Sequence, residues 1–172
     1  MKTAIKKQMS LLTALVAAGV LGTATPAMAG KVNMAKEGKF DFNFCMAGES
    51  TYHALKDSLG MAEFHLDAAM HSNIPNGPFD LQGSHCVGYG WTIDGKWGDA
   101  GYCKQVDADG DLWMFRSETG ADFTGKWEAV GGTGKYEGMR GSGQYQPVGF
   151  PPAVVAGHFN RCNRNTGTYK LR

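Results

Sequence analysis

From Lys39 to Met46 the chain alternates with a period of two, placing Phe40, Phe42 and Phe44 on one face and Asp41, Asn43 and Cys45 on the other. Successive strand residues point to opposite sides of a sheet, so this segment is expected to be a half-buried strand with its Phe face inward. Met61 to Met70 repeats the pattern, Phe64 and Leu66 opposing His65 and Asp67. Between them, residues 48 to 59 fit a loop or a helical turn equally well, and residues 30 to 38 read as a mobile leader. Asn73 to Pro78 breaks the pattern with two prolines and an Asn-Gly pair. Further strands are expected around two Asp-Gly turns, over Asp122 to Val130, and through Tyr145. After the proline-rich break at Pro147 to Pro152, two short strands are expected at about 153 to 162 and 166 to 171. The fold class is all-β: eight or nine antiparallel strands, the number at which a closed barrel is just filled by side chains or holds one small ligand.

The Asp-Gly turns fix a register. A two-residue type I′ turn at Asp94-Gly95 sets Ile93 opposite Lys96 and, counting outward, Cys86 opposite Cys103 at a non-hydrogen-bonded pair, where side chains approach closest. The expected disulfide is therefore Cys86–Cys103, which leaves Cys45–Cys162. That second bridge would tie the first strand to one of the last, as barrel closure requires. A similar turn at Asp109-Gly110 sets Val106 opposite Trp113 and Lys104 opposite Phe115. Carried across both hairpins, this register gathers Val87, Tyr89, Trp91, Ile93, Tyr102, Val106, Trp113 and Phe115 on one surface. Cys86, Trp97, Asp99, Cys103, Gln105 and Arg116 fall on the other. The aromatic surface is expected to face inward, with Tyr89, Trp91, Tyr102, Trp113 and Phe115 as the candidate ligand-binding residues.

The first 29 residues change the compartment. Lys2, Lys6 and Lys7 precede an apolar run from Leu11 to Leu21 and then Ala27-Met28-Ala29, the layout of a secretory signal cleaved after Ala29. Residues 30–172 would then form one soluble, periplasmic or secreted domain, in which four cysteines suit two disulfides better than a metal site. Of the chain's 17 Lys and Arg, three lie in the signal, leaving 14 against 16 Asp and Glu, a formal charge of −2. This argues against a nucleic-acid partner, and no later apolar run is long enough for a membrane span. Self-association is left open.

Between Ala129 and Tyr145 six of seventeen residues are glycine, more than a strand or helix interior tolerates, so a tight connection between two strands is expected. Gly131-Gly132-Thr133-Gly134-Lys135-Tyr136, continuing through Gly138-Met139-Arg140-Gly141, resembles the G-G-T-G-K-[FY]-x-x-[AG]-x-G signature of dirigent proteins and allene oxide cyclase-like barrels. Trp127-Glu128-Ala129-Val130 and Asp109-Gly110-Asp111 are similar to small secreted bacterial proteins of that class. The resemblance implies a barrel holding an apolar ligand. Dirigent proteins steer the radical coupling of phenols and the cyclases fold a fatty-acid epoxide. The acidic catalytic residues of those proteins lie outside the matching stretch, so no catalytic residue is assigned.

Other chemistry is thin. Tyr136 stands where a phosphate loop needs Ser or Thr, and Ala129 where it needs Gly. Asp107 to Asp111 begins like a calcium loop and has Glu118 at the twelfth position, but Gly110 is fourth rather than sixth and strand-like Leu112 to Phe115 lies between, so it reads as a hairpin turn. His65 with Asp67 and His71, and Arg116 with Glu118, share strand faces but lie on the side expected to be outward. No cofactor and no metal site is expected. The leading functional expectation is a barrel that binds or scaffolds a small apolar or aromatic molecule. The alternatives are a cyclase or isomerase, marked by a titratable group inside, and a periplasmic metal-binding or structural protein.

Overall fold

The computed structural model describes residues 34–172; the expected signal segment, residues 1 to 29, lies outside the described residues. Eight strands follow in order: β1 (Glu37–Lys56), β2 (Leu59–Ser72), β3 (Gln82–Ile93), β4 (Lys96–Val106), β5 (Leu112–Thr119), β6 (Gly125–Gly132), β7 (Arg140–Gly149) and β8 (His158–Lys170). Each pairs antiparallel with the next, and β8 returns to β1, so the sheet closes into a barrel without a free edge. Two expectations are corrected. Residues 48 to 56 continue β1 into a long hairpin with β2, and the last two short strands are one continuous β8.

Both disulfides form as expected, Cys86–Cys103 and Cys45–Cys162. They lie on opposite sides of the wall. Cys45 is exposed on the outer surface and fastens the closing seam between β1 and β8, where it pairs directly with Cys162. Cys86 and Cys103 are buried in the interior, which reverses their expected placement.

That reversal has one origin. The Asp94-Gly95 turn sets Ile93 opposite Lys96 as expected, but β5 is displaced by one residue: Val106 pairs with Leu112, Gln105 with Trp113 and Cys103 with Phe115. The connection is a five-residue loop, Asp107 to Asp111. Asp107 Oδ1 accepts the backbone N–H groups of Asp109 at 2.9 Å and Asp111 at 3.0 Å, and Gly110 takes a positive φ of 85°. One residue of slip exchanges the faces of a strand. Trp113 and Phe115 therefore share the inner face with Cys103 and Gln105, while Val87, Tyr89, Ile93, Tyr102 and Val106 point outward.

The two ends of the barrel differ. At the end holding the β2–β3, β4–β5 and β6–β7 connections, Phe40, Phe42, Phe79, Trp113, Tyr136 and Tyr169 pack into a filled plug; Phe79 lies 4.9 Å from Trp113 and Phe40 stacks on Trp127 at 5.1 Å, centroid to centroid. Each such side chain contributes about 1.5–3 kcal/mol by burial. The glycine-rich stretch is part of this plug. Gly134, at φ 53°, opens a short 3₁₀ turn (Gly134–Tyr136) that drives Tyr136 into the core, where its hydroxyl accepts the Gln82 amide N–H at 2.8 Å. A side chain at Gly134 would run into the Asp111 carboxylate. Lys135 Nζ sits 2.6 Å from Asp107 and 2.5 Å from Asp109, so its ammonium neutralises the acidic loop that resembles the start of a calcium site.

Candidate functional site

The opposite end is the mouth, and there the interior is not filled. A cavity of about 360 Å³ opens between the 120–124 and 150–157 connections, walled by Phe64, Leu66, Trp97, Phe123, Phe150 and Phe159. It shares Phe64, Leu66, Asp99 and Arg161 with a smaller void of about 50 Å³ deeper in the barrel, which touches the Cys86–Cys103 bridge, Phe115, Trp127 and Asn163. Two larger and more open furrows of about 1060 and 1100 Å³ lie along β5 to β8, the first reaching in to Trp91, Asp99, Thr119 and Tyr145. The recess walled by aromatic rings, with a few convergent polar groups, is the better binding site.

The walls follow from strand alternation and from glycines facing bulky rings. Phe64 and Leu66 project inward from β2, and Trp97 and Asp99 from β4. A Cβ at Gly90 would collide with the Trp97 indole, and one at Gly125 with the Tyr145 phenol, so both rings lie where only glycine leaves room. Phe123 reaches the mouth from a loop in which it takes a φ of 60°, uncommon for an aromatic residue. Asp122 Oδ1 holds that turn by accepting the N–H and hydroxyl of Thr124. Phe123 meets Phe150 edge-on at 5.5 Å.

Within this apolar recess the polar groups are ordered. Asp99 is only 8% exposed. Its Oδ1 accepts the Thr119 hydroxyl at 2.5 Å and its Oδ2 accepts the Trp97 indole N–H at 3.0 Å. Thr119 also meets the Tyr145 hydroxyl at 2.6 Å, and that hydroxyl donates to the Glu118 carbonyl at 3.1 Å. Burial pushes the Tyr145 phenol up to about 12, so it remains a proton donor at neutral pH. Arg161 enters from β8, its guanidinium 5.7 Å from the centre of the Phe123 ring. Among the described residues, Arg161 Nε, Trp127 Nε1 and Asn163 Oδ1 are buried without a hydrogen-bond partner, and all three residues line the deeper void. Unpaired buried polar atoms cost roughly 1–3 kcal/mol each, so their collection in one void marks a place for a polar guest.

Of the five residues expected to bind a ligand, Phe115 borders the deeper void and Trp91 borders the large open furrow. Trp113 is fully buried in the plug, where its indole N–H donates to Gln82 at 2.8 Å. Tyr89 and Tyr102 are corrected to the outer surface, at 58% and 52% exposure, and Trp91 lies beside them, half-buried against Gly98. The outward pairs stay outward: His65 contacts Glu49, Asp67 contacts His85, His71 contacts Asp80 and Arg116 contacts Glu128. Phe64 and Leu66 lie on the apolar face expected of their strand, whereas Asp99, Arg161, Tyr145, Phe123, Phe150 and Phe159 were not singled out as site residues by the pattern of the chain. Asp99 and Trp97 have the parity of Cys103, so a register one residue shorter would have placed them inside.

No family model matches the chain, and no curated protein matches it by sequence. Among solved structures it is similar to two pterocarpan synthase dirigent proteins. GePTS1 is 11% identical over 81% of this chain and 88% of that one, with a TM-score of 0.49. PsPTS1 is 12% identical over 81% and 97%, with a TM-score of 0.50. The likeness is one of fold.

Proposed function

We propose that this protein is an exported member of the dirigent and allene oxide cyclase-like barrels that binds a small apolar or aromatic molecule at the mouth of its barrel. The observation that carries the reading is the recess of about 360 Å³ walled by Phe64, Leu66, Trp97, Phe123, Phe150 and Phe159. Its volume lies within the range of small-ligand pockets. The apolar body of the ligand would rest on these rings, and a polar group at its inner end would meet Trp127 Nε1, Arg161 Nε and Asn163 Oδ1. Two disulfides and the signal-like N-terminus support export to the periplasm or beyond. Among the described residues no helix is long and apolar enough to cross a membrane.

The test is titration with the fluorescent probe anilinonaphthalene sulfonate. Wild type should bind it at one site, Leu66→Trp, which fills the recess, should weaken binding at least tenfold, and Tyr89→Lys on the outer wall should leave that site unchanged. Equal binding by wild type and a natively folded Leu66→Trp protein would refute the reading.

One observation favours an enzyme of the cyclase or isomerase type as a second reading: a buried carboxylate, Asp99, and a guanidinium, Arg161, line the same recess. A carboxylate there can accept a proton while the guanidinium holds developing negative charge. Asp99→Asn would then keep probe binding and lose turnover of any molecule the wild type converts.

A further inference from the structure

From Gln146 to Gly157 the chain runs without an ionisable side chain. This stretch carries the end of β7 into its connection with β8 at the mouth, and its apolar side chains stand in solvent. Val148, Phe150 and Val155 are each more than half exposed, and Val154, at 98%, touches almost nothing of its own protein. The projection is built rather than frayed. Pro151 and Pro152 fix their φ angles and hold the tip extended. The Asn160 amide donates to the Pro152 carbonyl at 3.1 Å, and the His158 N–H closes the turn on the Val155 carbonyl at 3.2 Å, with Gly157 at a φ of 81°. Because β8 begins opposite Glu49, residues 50–56 of β1 rise from the same rim, and there Leu55 is 77% exposed.

Charge and shape choose what meets this rim. The turns of this end carry Lys56 and Lys96 against Asp57, Asp94 and Asp122, a near balance that selects neither a strongly charged protein nor an anionic headgroup. The exposed parts of Val148, Phe150, Val154 and Val155 amount to roughly 500 Å², short of the about 800 Å² that each partner buries in a standard protein interface. Apolar tips on two separate elements suit a fluid surface that needs no matching pocket. We propose that the loop inserts into the surface of a lipid bilayer and seats the barrel on it mouth-down, through apolar burial rather than charge. Phe150 belongs both to the tip and to the wall of the recess, so this docking opens the recess toward hydrocarbon, from which an apolar molecule enters without crossing water. The docking itself requires no occupant in the recess.

Flotation of the purified protein with phosphatidylcholine vesicles tests this, with circular dichroism confirming that each variant is folded. Wild type should bind with an association constant on the order of 10⁴ M⁻¹, the strength of a single buried myristoyl chain, and equally at low and high salt. Val154→Asp combined with Val155→Asp should weaken binding about tenfold or more, and Val154→Leu should retain it. Without lipid, the double variant should take up anilinonaphthalene sulfonate as the wild type does, which separates loss of docking from loss of the recess. A wild-type protein that stays in the buffer, whether its loop is bare or covered by a protein or a second copy, overturns the proposal. So does a double variant that floats like the wild type, or binding that needs anionic lipid and disappears in salt.

Discussion

Replacing Lys135 with Met should destabilise the protein most at neutral pH and less on acidification. The ammonium lies 2.6 Å from Asp107, 2.5 Å from Asp109 and 3.8 Å from Asp111, with its side chain 18% exposed and that of Asp107 only 3%. At an effective dielectric of about 20, a contact of this length is worth about 6 kcal/mol before desolvation. Desolvation of both ions removes much of that, and breaking such a pair from one side costs about 3–5 kcal/mol, because a carboxylate is left buried without its counter-ion. In the wild type, burial raises the Asp107 carboxyl, but hydrogen bonds and charge from Lys135, with Tyr136, outweigh it and hold the group below its ordinary value of 3.8. Burial likewise lowers Lys135, but the two aspartates outweigh it and hold the ammonium above 10.5. The depressed Asp107 therefore contributes stability present above pH 3.8 and lost as the pH falls through its folded value. The raised Lys135 contributes stability present below pH 10.5 and lost as the pH rises through its folded value. Between those limits the contribution is flat. In Lys135→Met three carboxylates converge with no cation, and burial of Asp107 is opposed only by its hydrogen bonds from Tyr136 and the backbone, so its folded value moves up from the wild-type one. The variant should then be about 3–5 kcal/mol less stable at pH 7 and regain part of the loss on acidification toward pH 4. Urea unfolding at a series of pH values measures both effects. A loss at pH 7 below 1 kcal/mol, or one that grows rather than shrinks on acidification, would refute the reasoning.

Removing the outer disulfide as Cys45→Ala with Cys162→Ala frees a loop of 117 residues and should cost about 5 kcal/mol by the chain-entropy relation, measurable as a lowered denaturant midpoint. Burial holds the phenols of both Tyr145 and Tyr136 above 10, the first at about 12 and the second higher still. A phenol raised on folding stabilises fully below pH 10 and loses that contribution as the pH rises through its folded value, so stability should decline between pH 10 and 12. Ultraviolet titration should find these two ionising after the exposed tyrosines, and a single transition near pH 10 for all six would contradict the burial. Gly125→Ala places a Cβ against the Tyr145 ring and the Glu118 carbonyl, and should cost about 1–3 kcal/mol in thermal unfolding while displacing the hydroxyl from Thr119.

The alternation at Phe40, Phe42 and Phe44 determined the inner face of β1 without help, because a period of two has one solution when every apolar residue falls on the same parity. Asp94-Gly95 determined the β3–β4 register, and with it both disulfides, because a two-residue turn admits one pairing. The glycine-rich stretch identified the class of barrel. What the chain could not decide was the length of the next turn. Asp109-Gly110 offers the same local signal as Asp94-Gly95, but the Asp107 carboxylate binds two backbone N–H groups across a five-residue loop, and Lys135, 24 residues on from Asp111, holds that loop in place. A single residue of register then turned the aromatic wall outward and carried Asp99 and Trp97 inside. The cavity likewise joins side chains from β2, β4, β8 and two loops that are adjacent only once the sheet has closed. Local pattern fixed the faces of individual strands; which face became the inside depended on a long-range ion pair and on closure, and neither has a local signature in the sequence.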